Sequence, residues 1–318
     1  MDRNLTRRSI FVVRVFYCPQ YVGSGYAFDT TRKSRWVADS LVESPIPGVE
    51  VVAPAPLTRE CIAAVHDPDY VRAIETGSPR GLAESQGFLW DAGLWPMVLA
   101  SNGGVVAAAH AALEDGVAGS LSSGLHHAGY SSGAGFCTFN GLVIAAKSAL
   151  AAGAKSVLIL DLDAHCGGGT ASLIGDDPRI RHLDVSVSGY NSYEETAQSR
   201  LVIVRTSSEY LPAIRAMLDE SDRRGDAFDL CLYNAGMDPN EDCSTGGLRG
   251  ITREMLAERE RLVFEWCGVR RLPVAFVLAG GYLCRRLDES GLVALHRLTI
   301  AAASEAGRAW GKRHVLNS

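Results

Sequence analysis

The densest chemistry in this sequence lies in a few short segments. In Asp161-Leu162-Asp163-Ala164-His165, two carboxylates and an imidazole alternate with apolar residues. If the backbone there stays extended, a period of two points all three to one side. Asp163 and His165 then make a credible pair of ligands for one divalent ion, with Asp238 of Asn234-Ala235-Gly236-Met237-Asp238 as a third. One imidazole and two carboxylates leave a coordination position open, which a metal acting on a substrate requires. His126-His127 and Gly280-Gly281-Tyr282 add two imidazoles and a phenol suited to proton transfer. Taken alone, the first segment has a plainer reading, in which Asp161 and Asp163 cap a helix beginning near Gly169 and His165 is a loop residue. The other segments tip the balance toward a metal centre.

Elements must hold these groups together, and the hydrophobic pattern supplies them. Short β-branched runs occur at 10–16, 49–53, 156–161, 182–188, 201–206, 229–234 and 274–279, with a weaker one at 118–122. Helical patterns lie at 104–114, 142–151, 209–223, 253–266 and 290–306. Strands alternating with helices of this length predict a parallel sheet covered on both faces. The runs at 157–160 and 276–278 are apolar without alternation, as a strand buried on both faces should be. With no linker, repeat or composition break, residues 1–318 are expected to form one α/β domain. In such sheets ligands gather at the carboxyl ends of the strands, where the Asp, His, Asn and Tyr residues above fall.

Composition narrows the function. A net charge of −5 argues against a phosphate-binding surface for nucleic acid. A chain that is 47% hydrophobic can bury enough surface to fold. The polar start to Arg8 and the short run broken by Arg14 do not make a secretion signal, and no membrane span is expected. Eight scattered cysteines without a C-x-x-C pair suggest reduced, mostly buried thiols and a cytoplasmic protein, or a nuclear one in a eukaryote.

Taken together, these segments resemble the zinc-dependent histone deacetylases of the arginase/deacetylase superfamily. The matching stretches are Leu125-His126-His127-Ala128, Ser132 to Cys137, Asp161 to His165, Asn234 to Asp238 and Ala279 to Tyr282. A weaker likeness extends upstream to His66-Asp67-Pro68-Asp69-Tyr70. The Asp-Leu-Asp-Ala-His form and Gly246-Gly247-Leu248 look most like class IV and related bacterial members. The resemblance implies an arginase/deacetylase fold with one zinc ion on Asp163, His165 and Asp238. It makes His126 and His127 the tandem active-site histidines, Tyr282 the residue assisting the substrate carbonyl, and Asp161 the partner of the first histidine. It also implies a structural K+ near Asp161, Asp163, His165 and Ser186, and a substrate tunnel at Gly135, Phe136, Gly280 and Gly281.

Such a set suits amide hydrolysis, which needs a nucleophilic water, a polarised carbonyl and a proton for the departing amine. The expected substrates are acylated amines, either acetyl- or longer acyl-lysine in a peptide or a small molecule such as an acetylpolyamine or acylated metabolite. Tyr190 and Tyr193 could line the entrance or simply pack. A non-catalytic acyl-lysine binding module is the rival from another class. Binuclear chemistry would want carboxylates at 167 and 240, where Gly167 and Asn240 stand. One departure bears on mechanism. Gly168 replaces the polar residue that would orient the second histidine, so His127 is expected to lack its usual partner unless a water or another side chain fills the gap. Cys166, beside His165, is expected to pack.

Overall fold

The computed structural model describes residues 12–315. Its eight strands are β1 (Val13–Phe16), β2 (Val49–Val52), β3 (Val117–Ser120), β4 (Val157–Asp161), β5 (Ile180–Ser186), β6 (Ser199–Ile203), β7 (Leu230–Ala235) and β8 (Val274–Leu278). They form one open sheet in the order β2-β1-β3-β8-β7-β4-β5-β6, with every pairing parallel. Each expected run yields a strand, with ends shifted by at most three residues. Positions 10 and 11 of the first run lie outside the described residues.

Among the described residues, ten α-helices surround the sheet: α1 (Asp29–Glu43), α2 (Arg59–Ala63), α3 (Pro68–Thr76), α4 (Arg80–Ala83), α5 (Leu94–Asp115), α6 (Gly141–Ala151), α7 (Gly168–Ile174), α8 (Ser207–Arg224), α9 (Arg253–Arg270) and α10 (Glu289–Val315). Along β4, Leu158 and Leu160 enter one core with residues of α8 and α9, while Val157 and Ile159 enter the other with residues of α5 and α6. Both faces of the strand are therefore buried, which is why it reads as a continuous apolar run.

Helix α5 departs from the expected pattern in its start. It starts ten residues earlier than the pattern at 104–114, because Gly103 and Gly104 lie inside it rather than at its head. A Cβ on Gly104 would sit 1.5 Å from the Tyr21 hydroxyl, so the bare backbone lets the helix lie against the chain end of β1. At 22 residues, α5 is also long and apolar enough to cross a membrane by length and composition. It is packed against the sheet instead, with 67% of its most apolar window buried, as the core helix of a parallel sheet must be.

Candidate metal centre and active site

Sheet register sets the floor of the site. Asp161, at the end of β4, pairs across the sheet with Asn234 of β7 and Asp184 of β5. Asn234 Nδ2 donates to Asp161 Oδ1 at 2.8 Å, and the other oxygen, Oδ2, lies 2.7 Å from His126 Nδ1. The central strands β3, β8, β7 and β4 thus bring His126-His127, Gly280 to Tyr282, Asp238 and the Asp161–His165 segment to one rim.

Asp163, His165 and Asp238 converge as the spacing predicts. One ligand atom from each lies within 4.8 Å of the others, and all three residues are buried. His165 Nδ1 is 3.2 Å from Asp163 Oδ1 and 3.1 Å from Asp238 Oδ2. Backbone N–H groups aim the remaining oxygens: Gly280 donates to Asp163 Oδ2 at 2.7 Å, and Ala164 to Asp238 Oδ1 at 3.0 Å. Asp238 Oδ2 is fully buried and, although His165 Nδ1 lies 3.1 Å away, no donor points at it in hydrogen-bond geometry, which leaves it free to meet a cation. A Cβ on Gly280 would lie 2.1 Å from that oxygen and 2.6 Å from Asp163 Oδ2, so only glycine leaves the cradle open. These residues fit a divalent cation. The helix-capping alternative fails: α7 begins at Gly168 with Gly167 as its cap residue and no side-chain cap.

Charge is arranged unevenly. Burial disfavours a charged His165, but Asp163 and Asp238 outweigh it and raise the ring to about 10. Burial also opposes charge on His126, yet Asp161 and then Asp163 raise it to about 9. His127 goes the other way, since burial and the neighbouring His126 push it down to about 3. Burial holds the Tyr282 phenol well above its ordinary value. Burial, and next the Asp163 charge, lift Asp238 to about 6.

A divalent cation held by these residues would have to displace a proton from His165. Binding of Zn2+ is expected to release about one proton at pH 7–8, with affinity rising roughly tenfold per pH unit toward pH 10, because the ligand must be neutral. Below about pH 6 protonated Asp238 adds a second proton to the exchange. Titration calorimetry in buffers of different ionisation enthalpy reads this directly, and zero proton release at neutral pH would contradict the ligand set.

Around the centre, the tandem histidine rings lie 4.0 Å apart between centroids, tilted by 39°, and His127 meets His165 edge-on at 5.9 Å. Tyr282 is 6.4 Å from His165 and 6.1 Å from Phe136, ring to ring, so Tyr282 and Phe136 flank the same space. Gly135, at φ +50°, brings its backbone against His127, where a Cβ would be 2.4 Å from Cδ2. Gly281 is placed differently from Gly280, since its bare Cα faces Leu292 and His296 of α10. Tyr190 is half exposed with its ring against His127 and His165, whereas Tyr193 is stacked on His182 at 5.6 Å. Cys166 is buried and donates to the Ser188 carbonyl, consistent with packing, and all eight cysteines are free.

The gap that Gly168 leaves opposite His127 is filled by another side chain. Asn191, in the loop after β5, places Oδ1 3.2 Å from His127 Nδ1. Ser186 is buried, but its hydroxyl donates to Asp184 Oδ1 at 2.6 Å. Beside it a second buried group forms from Asp161, His182 and Asp184, whose candidate ligand atoms also lie within 4.8 Å. His182 and Asp184 went unread, although the His182-x-Asp184-x-Ser186 alternation on β5 carried the signal. Three further contributors were missed. Arg259 of α9 is fully buried and donates to the carbonyls of Leu162 and Gly236, tying together the two ligand-bearing loops from behind. His66 accepts from Asn140 N at 3.0 Å and bonds the Gly129 carbonyl at 2.8 Å, bracing the loop after the tandem histidines. Lys33 is buried near Asp163 and Asp238, whose pull only partly offsets the burial that lowers it to about 7.

A parallel α/β sheet with a buried two-carboxylate, one-histidine group at its carboxyl rim is an arrangement that can hold a divalent cation. Residues 27–298 match the histone deacetylase domain, and the chain belongs to that family. It is 34% identical over 264 residues to an uncharacterised protein of Picosynechococcus sp., spanning 80% of this chain and 85% of that one. It is 30% identical to Arabidopsis thaliana histone deacetylase 2 over 57% of this chain and 48% of that protein. The acetylpolyamine aminohydrolase of Burkholderia pseudomallei shares the fold, with a TM-score of 0.74 at 20% identity over 91% of this chain and 98% of that one.

Proposed function

We propose that this protein is a zinc-dependent amidohydrolase that removes an acyl group from an acylated amine, either acyl-lysine in a peptide or a small acylated amine. The observation that carries the reading is the convergence of Asp163, His165 and Asp238 with His126, His127 and Tyr282 around one buried point. Zinc on the three ligands would supply Lewis acidity and a water of lowered pKa.

The chain's own residues divide the proton work. His127 is neutral at physiological pH and keeps a lone pair to accept a proton from the attacking water. His126, charged through Asp161, holds a proton that it can pass to the departing amine. Two neighbouring groups driven apart in this way fit separate base and acid roles. Tyr282 keeps its proton and donates a hydrogen bond to the carbonyl oxygen as negative charge gathers there. Gly135 and Phe136, with Tyr282 opposite, form the walls along which an extended acyl-amine reaches the histidines. A structural K+ beside Asp161 and Ser186, and a cytoplasmic location, belong to the same proposal.

The test is a panel of acetyl, medium-chain and long-chain acyl-lysine peptides and acetylpolyamines, with metal quantified. At least one class should be hydrolysed, with activity lost on chelation and restored by zinc. A zinc-loaded protein that binds acyl-lysine but turns over nothing would support the binding-module reading instead.

A further inference from the structure

Asn191 Oδ1 faces two donors: the Gly169 N–H at 3.2 Å and His127 Nδ1 at 3.2 Å. A backbone N–H can only donate, so the carboxamide atom facing it must be the oxygen rather than the NH2 group. The ring nitrogen facing that same oxygen must then carry the proton. His127 is accordingly the Nδ1–H tautomer, with the Nε2 lone pair free.

Asn191 and Gly168 are complementary. A Cβ at 168 would lie 2.3 Å from the Asn191 backbone oxygen and 2.8 Å from its Oδ1, so a side chain there and this loop position exclude each other. The loop is held at its neighbour too, where Cys166 N donates to the Tyr190 carbonyl at 3.0 Å and the Tyr190 ring stands edge-on to His127 at 5.0 Å. Asn191 itself sits at φ +58°, a left-handed conformation that asparagine tolerates better than most residues.

We propose that Asn191 is the positioning residue of the second active-site histidine, fixing its tautomer and ring orientation from the loop after β5 in the space that Gly168 leaves bare. This rests on the deacylase reading, in which His127 Nε2 accepts the proton of the attacking water. A neutral amide does the orienting without placing a further negative charge beside the ring.

Asn191→Gly tests the idea, because glycine accepts the left-handed backbone and removes only the amide. In the metal-loaded protein, kcat should fall about 10–100-fold with KM little changed, the usual scale for losing such a partner. Asn191→Asp keeps an acceptor oxygen and should recover most of the loss. Two-bond 15N–1H NMR of histidine-labelled protein, with the His127 signals assigned by a His127→Gln variant, reads the tautomer whether or not a substrate turns over. Wild type should show Nδ1–H, and Asn191→Gly a mixture or the Nε2–H form. An Nε2–H ring in the wild type, or Asn191→Gly with tautomer and kcat unchanged, would overturn the positioning role. If the NMR pattern holds but no acyl-amine is hydrolysed, Asn191 still positions His127 and the deacylase reading is what fails.

Discussion

Asp163→Asn is expected to yield a folded protein that retains little metal and has lost roughly a thousandfold or more of its turnover. Both carboxylate oxygens are in use: Oδ2 accepts from Gly280 N at 2.7 Å and Oδ1 from His165 N at 3.0 Å. An asparagine must turn its NH2 toward one of these backbone donors, and either choice sets donor against donor. It also removes one of the two negative charges that make the centre attractive to a dication and that raise His165. Losing several kcal/mol of Lewis-acid stabilisation translates to about 10³-fold, at 1.36 kcal/mol per factor of ten. Metal content by mass spectrometry of the dialysed protein, beside kcat on the best panel substrate, checks both halves. A variant that keeps its metal and its rate would remove Asp163 from the site. The core contacts of β4 lie at Val157 to Leu160, before this residue, so the thermal midpoint should move far less than the rate.

The residues that carry this prediction were legible because regular structure positions them. Asp161, Asp163 and His165 continue a strand whose apolar run is plain, and a period of two then orders the ligands without further information. β3 was the faint one: Val117-Ala118-Gly119-Ser120 is short and holds a glycine, whose bare Cα faces Phe276 at 2.2 Å from a notional Cβ, so its β character comes from packing rather than from side chains. Helix α1 escaped the pattern because Lys33 sits on its buried side, where an apolar residue would have signalled the helix. The vacancy at Gly168 could be read from sequence, but its occupant could not. Asn191 lies 23 positions further on in an irregular loop, and only the fold brings it back to His127. Arg259 and His66 share that property, as each reaches the site's loops from a separate part of the chain. Of the four described non-glycine residues with positive φ, Leu125, Phe136 and Asn191 border the site, and no sequence pattern announces them.

Tyr282→Phe should separate binding from chemistry more cleanly than any ligand change. The ring fills its place between Phe136 and His165 through aromatic contact, 6.1 and 6.4 Å between centroids, and phenylalanine preserves that packing. The backbone is anchored independently, with Tyr282 N donating to Cys243 Sγ at 3.3 Å. Only the hydroxyl is lost. Because burial, together with Asp238 and Asp163, keeps the phenol protonated far above neutral pH, it can act as a donor throughout the working range. Its hydrogen bond strengthens as charge develops on the carbonyl oxygen, so its removal should cost kcat about 10²–10³-fold while KM changes little. Metal content and thermal midpoint should stay at wild-type values, which distinguishes this loss from the collapse expected of Asp163→Asn. A fall in kcat/KM that came wholly from KM would make Tyr282 a wall of the tunnel rather than a participant in the reaction. An unchanged kcat would leave the relief of charge to His126, whose ring stands between Asp161, 2.7 Å from Nδ1, and Asp163, 3.6 Å from Nε2.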